Sequence, residues 1–283
     1  MATTTTTLND LLPEIIQEAM FIANERSIMR GLVKNYTLAP GQGKNVNVPI
    51  YPQVNATAVT EGNAVDNTNV STGTAQLTIS TVGISTLLTD LARTTAASNV
   101  VADLGRLFGE AVARKMDQDM TALFATFAAG TGDYSGQVTP AVIFAAVARL
   151  RAQGLSMDGI SCVVHPEQAY DLKAALTTAG NTPFVADGVS ALANQAMAEG
   201  YVGRLAGIPV YESSNVAETA TPGQYTGAVF HRDAVGLGMV GDIAIETQRA
   251  ATYLGDNIVC SANYGTGLLI DAYGRYLKYA TSL

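Results

Sequence analysis

Residues 99–127 read NVVADLGRLFGEAVARKMDQDMTALFATF, and the reading of this stretch frames the whole chain. Val100, Leu104, Leu107, Phe108, Ala111, Met116, Met120, Leu123, Phe124 and Phe127 recur at helical spacing and predict a single apolar face. Asp103, Arg106, Glu110, Arg114 and Asp117 largely take the other faces, with Glu110 four residues before Arg114 in the favoured ion-pair order. Gly105 and Gly109 each cost about 1 kcal/mol against Ala in a helix, and they permit a close backbone approach. At ~1.5 Å rise per residue the helix is roughly 40 Å long, a spine for whatever surrounds it. On this reading Leu107→Asp unfolds the chain, because an unpaired buried charge is expensive.

Upstream lies a Thr-, Asn-, Val- and Gly-rich stretch, about Asn45 to Thr89. Val46, Val48 and Ile50 alternate with polar residues, and so do Gln76, Leu77, Thr78 and Ile79. Between them Glu61-Gly62-Asn63-Ala64-Val65-Asp66-Asn67 is rich in turn formers. Two half-buried strands joined by a loop are predicted. A two-stranded ribbon is marginal alone in water, and this one has few large side chains. Something else must cover it, and an adjacent subunit is the economical candidate.

Further upstream, Asp10 can cap a helix whose apolar positions are Leu11, Leu12, Ile15, Ile16, Ala19, Met20 and Ala23. Pro13 falls in its first turn, where no intrahelical N–H is needed. Ala39-Pro40-Gly41-Gln42-Gly43 then breaks any helix. A lone amphipathic helix must bury its stripe on its own body or on a neighbour.

Downstream of the spine, Thr139-Pro140 opens a helix through Ile143, Val147 and Leu150, with Arg149 and Arg151 at its negative end and Gly154 as its stop. Ile160–Val164 reads as a buried strand, and Pro166 opens a helix through Tyr170, Leu172 and Leu176. Another helix is predicted over Ser190–Glu199. Strands are predicted at Ile208–Glu212, Ala228–Arg232, Ala234–Val240, Ile243–Gln248, Ile258–Tyr264, Gly267–Ala272 and Arg275–Tyr279. The class is α+β, with no internal repeat and no clean linker.

The chain has 283 residues, enough for one large domain or two intimate ones. Only 14% of residues are charged, which points to a surface that largely meets other protein. The net charge of -8 and the pI near 4.7 argue against a DNA-gripping role. Such a role needs clustered Lys and Arg on phosphates, and the 16 present are scattered. A container that holds DNA without sticking to it is compatible. Cys162 and Cys260 sit in apolar runs and read as small buried hydrophobes of a reducing cytosol. Thr3–Thr7 opens no signal peptide, and no run of about 18 apolar residues spans a membrane. Synthesis and folding in the cytoplasm are expected.

Catalytic patterns fail one after another. His165 and His231 end apparent strands without convergent partners, so neither a zinc site nor a His-based triad is expected. Gly41-Gln42-Gly43-Lys44 lacks the rest of a phosphate loop, since positions 38 and 45 are Leu38 and Asn45. Ser85, Ser161 and Ser190 each have Gly two residues before but none two after, so no nucleophile elbow occurs. No G-x-G-x-x-G fingerprint opens a βαβ unit. Asp117 and Asp119 point in different directions and read as solvated or interface carboxylates. Asp256 and Asp271 are isolated. No catalytic residue, cofactor or metal is expected, and the chain does not read as an enzyme.

The order of parts resembles the major capsid proteins of tailed bacteriophages, the Hong Kong 97-type shell fold. Val163-Val164-His165-Pro166-Glu167-Gln168-Ala169-Tyr170-Asp171-Leu172 resembles that family's passage into its axial A-domain. Gly200-Tyr201-Val202-Gly203-Arg204-Leu205-Ala206-Gly207-Ile208-Pro209-Val210, ending at Glu212-Ser213-Ser214-Asn215, resembles the approach to another central strand. Phe230-His231-Arg232-Asp233-Ala234 resembles the following hairpin, and Ile243 to Tyr279 the closing strands. The resemblance implies an N-terminal arm over 1–44 and an E-loop hairpin over 45–88. It implies a P-domain with a spine helix over 89–150, an A-domain with a central sheet over 151–241, and P-domain closing strands over 242–283.

On this resemblance the chain self-assembles as hexamers and pentamers into an icosahedral or prolate head shell, part of the virion. The shell encloses double-stranded DNA without binding it sequence-specifically. Ile15, Ile16, Met20, Val59, Glu61, Val65, Asp66, Leu77 and Ile79 are the implied inter-subunit contacts. A portal protein and a decoration protein are the implied partners, and, because the arm reaches the E-loop so soon, a separate scaffolding protein or none; no membrane is implied. Some relatives weld their shells through an E-loop lysine. No Lys lies between Lys44 and Lys115, so no such weld is expected here. Deleting Val54 to Ser80 is expected to leave a soluble fold and abolish shells. The competing readings are an encapsulin-like nanocompartment shell, a β-rich adhesin or surface-layer subunit, and a hydrolase with an unfamiliar site.

Overall fold

The long helix forms where the periodicity places it, and its packing organises the rest. The computed structural model describes residues 27–178 and 201–283, apart from residues 40, 42, 52, 53, 55, 57, 59–63, 65–69, 96–99 and 242. The expected arm helix and the helix expected over Ser190–Glu199 lie outside the described residues. In chain order the helices are α1 (Ile28–Leu32), α2 (Asp90–Thr95), α3 (Val100–Ala122), α4 (Pro140–Arg151) and α5 (Pro166–Thr178). The strands are β1 (Lys34–Leu38), β2 (Asn45–Ile50), β3 (Gly73–Thr78), β4 (Ser80–Thr89), β5 (Gly130–Thr131), β6 (Ile160–Val164), β7 (Tyr201–Leu205), β8 (Ile208–Glu212), β9 (Gln224–His231), β10 (Val235–Val240), β11 (Ala244–Ala250), β12 (Gly255–Leu268) and β13 (Gly274–Ala280).

Helix α3 ends earlier than its apolar pattern. A 3₁₀ turn, Leu123–Thr126, takes over, and in that geometry residues three apart eclipse. Phe124 and Phe127 are therefore brought over one another, with centroids 6.3 Å apart and planes 14° apart. Phe124 also meets Phe230 of β9 at 5.4 Å.

The buried stripe of α3 is Phe108, Val112, Ala113, Met116 and Met120. It packs on the inner face of a five-stranded sheet, in which β1, β10, β12 and β11 run in order and β4 pairs with β12. The inner face carries Leu88, Ile245, Ile258, Cys260, Ala262 and Tyr264. Its outer face is small and polar, with Thr81, Gly83, Ser85 and Leu87 of β4 exposed. Leu107 departs from expectation: it is 59% exposed, next to the fully packed Phe108. At ~100° per residue the two neighbours cannot share one narrow stripe, and Phe108 holds the inward place. Leu107→Asp is thus not the unfolding substitution that the periodicity alone implied.

A six-stranded sheet, ordered β5-β13-β9-β6-β8-β7, forms the second layer. Helix α4 packs on it through Ile143, Ala146, Val147 and Leu150, meeting Ile160, Cys162, Val210 and Val229. Sheet membership cuts across chain order. β10, within 151–241, joins the first sheet, whereas β13, within 242–283, joins the second. The reason is pairing: β13 runs antiparallel to β9 over Gly274–Ala280, and β10 runs antiparallel to β12. The strand expected at Ile258–Tyr264 is part of β12, which runs unbroken through Gly265 and Gly267 to Leu268; the rest of the strand expected at Gly267–Ala272 is not strand, and Asp271–Tyr273 forms a 3₁₀ turn.

Gln168 fastens the second sheet to α5. Its buried amide donates to the carbonyls of Tyr225 and Tyr279, 3.1 Å each, and accepts from the His165 N–H at 3.4 Å. His165 stacks on Tyr225 at 3.7 Å. Burial holds its imidazole below the ordinary histidine range, against the pull of Glu167 and Glu218. The unfolded chain therefore takes up this proton more readily, and the folded chain loses stability as pH falls below about 6.5. We expect the melting temperature to drop between pH 7 and pH 5 by less in His165→Phe, which can keep the ring stack, than in the natural chain. Equal drops would show that this imidazole stays out of the transition.

Candidate assembly interface

β2 and β3 form an antiparallel pair from Asn45↔Thr78 to Ile50↔Gly73. Their root is seated on the chain's own body. Ala75, Leu77 and Leu269 make a small core, joined by Tyr36, Val46, Val48, Ile50 and Ile270. Beyond the pair the picture reverses: every described residue from 51 to 72 is exposed. Tyr51 is 71% exposed, Val54 51% and Val70 47%.

Of the contacts expected from the sequence, Ile15, Ile16, Met20, Val59, Glu61, Val65 and Asp66 lie outside the described residues. Leu77 and Ile79 are corrected. Leu77 is 0% exposed and Ile79 7% exposed, both against their own chain. Their alternation was read rightly as half-buried, but the covering surface is internal.

Two further surfaces lie outside the contacts expected from the sequence. At one end of the first sheet, Leu87, Leu91, Tyr253 and Leu254 are exposed, Leu91 by 73% and Leu254 by 69%. The turn between β11 and β12 is tied to α2: Leu254 adopts φ 47°, and its carbonyl accepts from the Asp90 N–H at 2.9 Å. Arg249 reaches Asp90 at 2.6 Å and Asp256 at 3.4 Å. A Tyr-Leu pair at a hairpin turn, where polar residues are the rule, was the available signal. The other surface is the open face of α3, where Leu107, Glu110, Arg114, Lys115 and Gln118 line a shallow groove.

Asp117 ties Ser27 and Ile28 to the body. Its carboxylate is 0% exposed. It accepts from Ser27 Oγ at 2.7 Å, the Ile28 N–H at 3.2 Å and Asn215 Nδ2 at 3.4 Å. Burial pushes its carboxyl above the usual range, while those donors pull it back. Of the solvated or interface role expected for Asp117, the solvated reading is overturned, because α3 turns it inward beneath Ser27 and Ile28. Asp119 points elsewhere, accepting from Tyr264 Oη at 2.8 Å and Lys115 Nζ at 2.7 Å. Asp117→Ala strands three donors. We expect a loss of about 2–3 kcal/mol, from the typical cost of removing a charged partner, with the earliest hydrogen exchange around Ser27–Val33. A change within ±0.5 kcal/mol would contradict the anchoring role.

Among the described residues no cluster of His, Cys, Asp and Glu is arranged to hold a metal ion. Among them, too, no helix is long and apolar enough to cross a membrane. Both cysteines are free and buried, and burial raises the thiol of Cys162 to about 12 and that of Cys260 to about 11.

A family model described as phage capsid protein matches residues 72–277. The chain therefore belongs to the phage capsid protein family, and its fold is of the Hong Kong 97 type. The capsid structure of cyanophage P-SCSP1u matches at a TM-score of 0.68 and 20% identity, covering 90% of this chain and 89% of that one. The capsid of Ralstonia phage GP4 matches at 0.69 and 13%, covering 92% and 88%. The head of Helicobacter pylori bacteriophage KHP40 matches at 0.68 and 12%, covering 91% of each. No curated protein matches the sequence.

Proposed function

We propose that this chain is the major capsid protein of a tailed phage, the repeated subunit of a head shell that encloses double-stranded DNA. The observation that carries the reading is the hairpin whose root is packed internally while all its described distal residues stay exposed. A soluble monomer has no use for such a projection; a lattice of identical copies does. Obligate interfaces of this sort bury roughly 2,000–5,000 Å² and are comparatively apolar. Residues 45–88 would act as the E-loop, α3 as the spine, and the six-stranded sheet as the core of the A-domain. Heterologous contacts that close by rotation give rings, here hexamers and pentamers.

Ile15, Ile16 and Met20 on the arm, and Val59, Glu61, Val65 and Asp66 on the hairpin, would touch neighbours. The exposed turn at Tyr253 and Leu254 would be a further contact. A scaffolding protein, a portal protein and a decoration protein are the partners such a shell takes, and assembly would occur in the host cytoplasm. The match to phage capsid proteins favours a genome-containing head over an encapsulin-like compartment. A structural role without catalysis is consistent with the buried, unreactive cysteines.

The purified chain, alone and with a candidate scaffolding protein, tests this by electron microscopy. Closed particles of uniform diameter are expected. Monomers alone under both conditions would contradict the proposal.

A further inference from the structure

The root of the hairpin rests on a patch of four glycines. β10 and β12 pair so that Gly236 faces Gly267 and Gly238 faces Gly265. Two cross-strand Gly pairs, two residues apart, place four missing side chains on one face of the sheet. The chain does not leave that space open. A Cβ on Gly267 would come within 2.8 Å of Leu77 Cδ2, and one on Gly236 within 3.1 Å of Leu77 Cδ1. A Cβ on Gly238 would come within 3.2 Å of Val46 Cγ2, and one on Gly265 would overlap the Thr78 carbonyl oxygen. Leu77 is fully buried there, with Leu269 beside it. Glycine inside a strand weakens it and marks a close approach by another backbone. Four at one spot make sense only if the seated hairpin returns the stability.

We infer that these glycines form a socket, keyed by Leu77, that sets the direction in which residues 51–72 leave the body. Its residues need touch no neighbour, yet they would govern the shell's geometry. Among the described residues the hairpin is seated from its root, where the Ile79 N–H donates to the Lys44 carbonyl at 2.9 Å, as far as Ile50, and those beyond Ile50 are exposed. A small tilt of the β2–β3 pair at the socket therefore changes the direction in which the chain continues past Ile50 and Gly73. The consequence for shells rests on the capsid reading; the socket itself does not.

Gly267→Val, Leu77→Ala and the double variant test it. Valine suits a strand, so the Gly267→Val defect would come from crowding Leu77. Hydrogen exchange at residues 73–78 is expected to quicken at least tenfold in each single variant, while β4 stays protected against β12. The double variant, in which the shortened side chain makes room, should recover part of that protection. Should Gly267→Val unfold outright, Leu77→Ala and the double variant still decide. Wild-type exchange at 73–78 in Leu77→Ala would overturn the socket, as would a double variant no better than Gly267→Val. Particles of mixed diameter are expected from Leu77→Ala; uniform particles of natural diameter, with exchange quickened, would overturn the link to shell geometry. If the natural chain itself forms no particles, the capsid reading fails while the exchange data still judge the socket.

Discussion

Removing residues 53–70 and rejoining the hairpin with a short turn leaves the body folded and abolishes closed shells. The cut must stop there. The deletion of Val54 to Ser80 considered from sequence would take out Ala75, Leu77 and Ile79, which are part of the chain's own core. The shorter cut spares the β2–β3 pair and its seat on the first sheet. Shortening the connection lowers its closure cost by ~0.6 kcal/mol per halving of length, so the monomer's melting temperature is expected to hold or rise slightly. Assembly has no such compensation, because the exposed apolar residues of this segment would supply contact to a neighbour. Sedimentation should show soluble subunits or small oligomers, and electron micrographs no closed particles. Normal particles from this variant would refute the role given to the hairpin.

Phe108→Asp is expected to leave no folded chain at room temperature, whereas Leu107→Asp costs under about 1 kcal/mol, as surface substitutions do. Phe108 is 2% exposed between α3 and the first sheet. Truncating a buried Phe costs roughly 3–5 kcal/mol. An unpaired carboxylate in the same place adds several more, enough to exceed the total stability of a typical domain, about 5–15 kcal/mol. Leu107 faces water beside Glu110 and Arg114, and its loss leaves the core untouched. Circular dichroism melts of the two variants separate the faces of the helix. Equal melting temperatures would show that the stripe is assigned wrongly.

Elements held by local pattern were readable from the sequence. The long helix with Phe108, Met116 and Met120 inward, the Thr139-Pro140 start of α4 and the all-buried run of β6 appear where spacing placed them. Pairing between distant strands was not readable. Nothing local to Gly274–Ala280 says that it joins β9 rather than β12, and nothing at Lys34–Leu38 announces a parallel strand beside β10. That one strand runs on through Gly265 and Gly267 was not legible, since only their contact with Leu77 and Thr78 reveals why a strand tolerates them. Asp117 looked solvated because Ser27 and Asn215, its partners, are far away in the chain. The same limit explains Leu77: alternation shows that one face is covered, but not by which surface.

Electron cryo-microscopy of particles assembled from the purified chain bears most directly on why the subunit is shaped as it is. Tyr51, Val54 and Val70 of each copy should lie within van der Waals distance of another copy, with the distal hairpin losing most of its exposure. A map in which that segment folds back on its own subunit, or stands in solvent with no neighbour against it, would contradict the account.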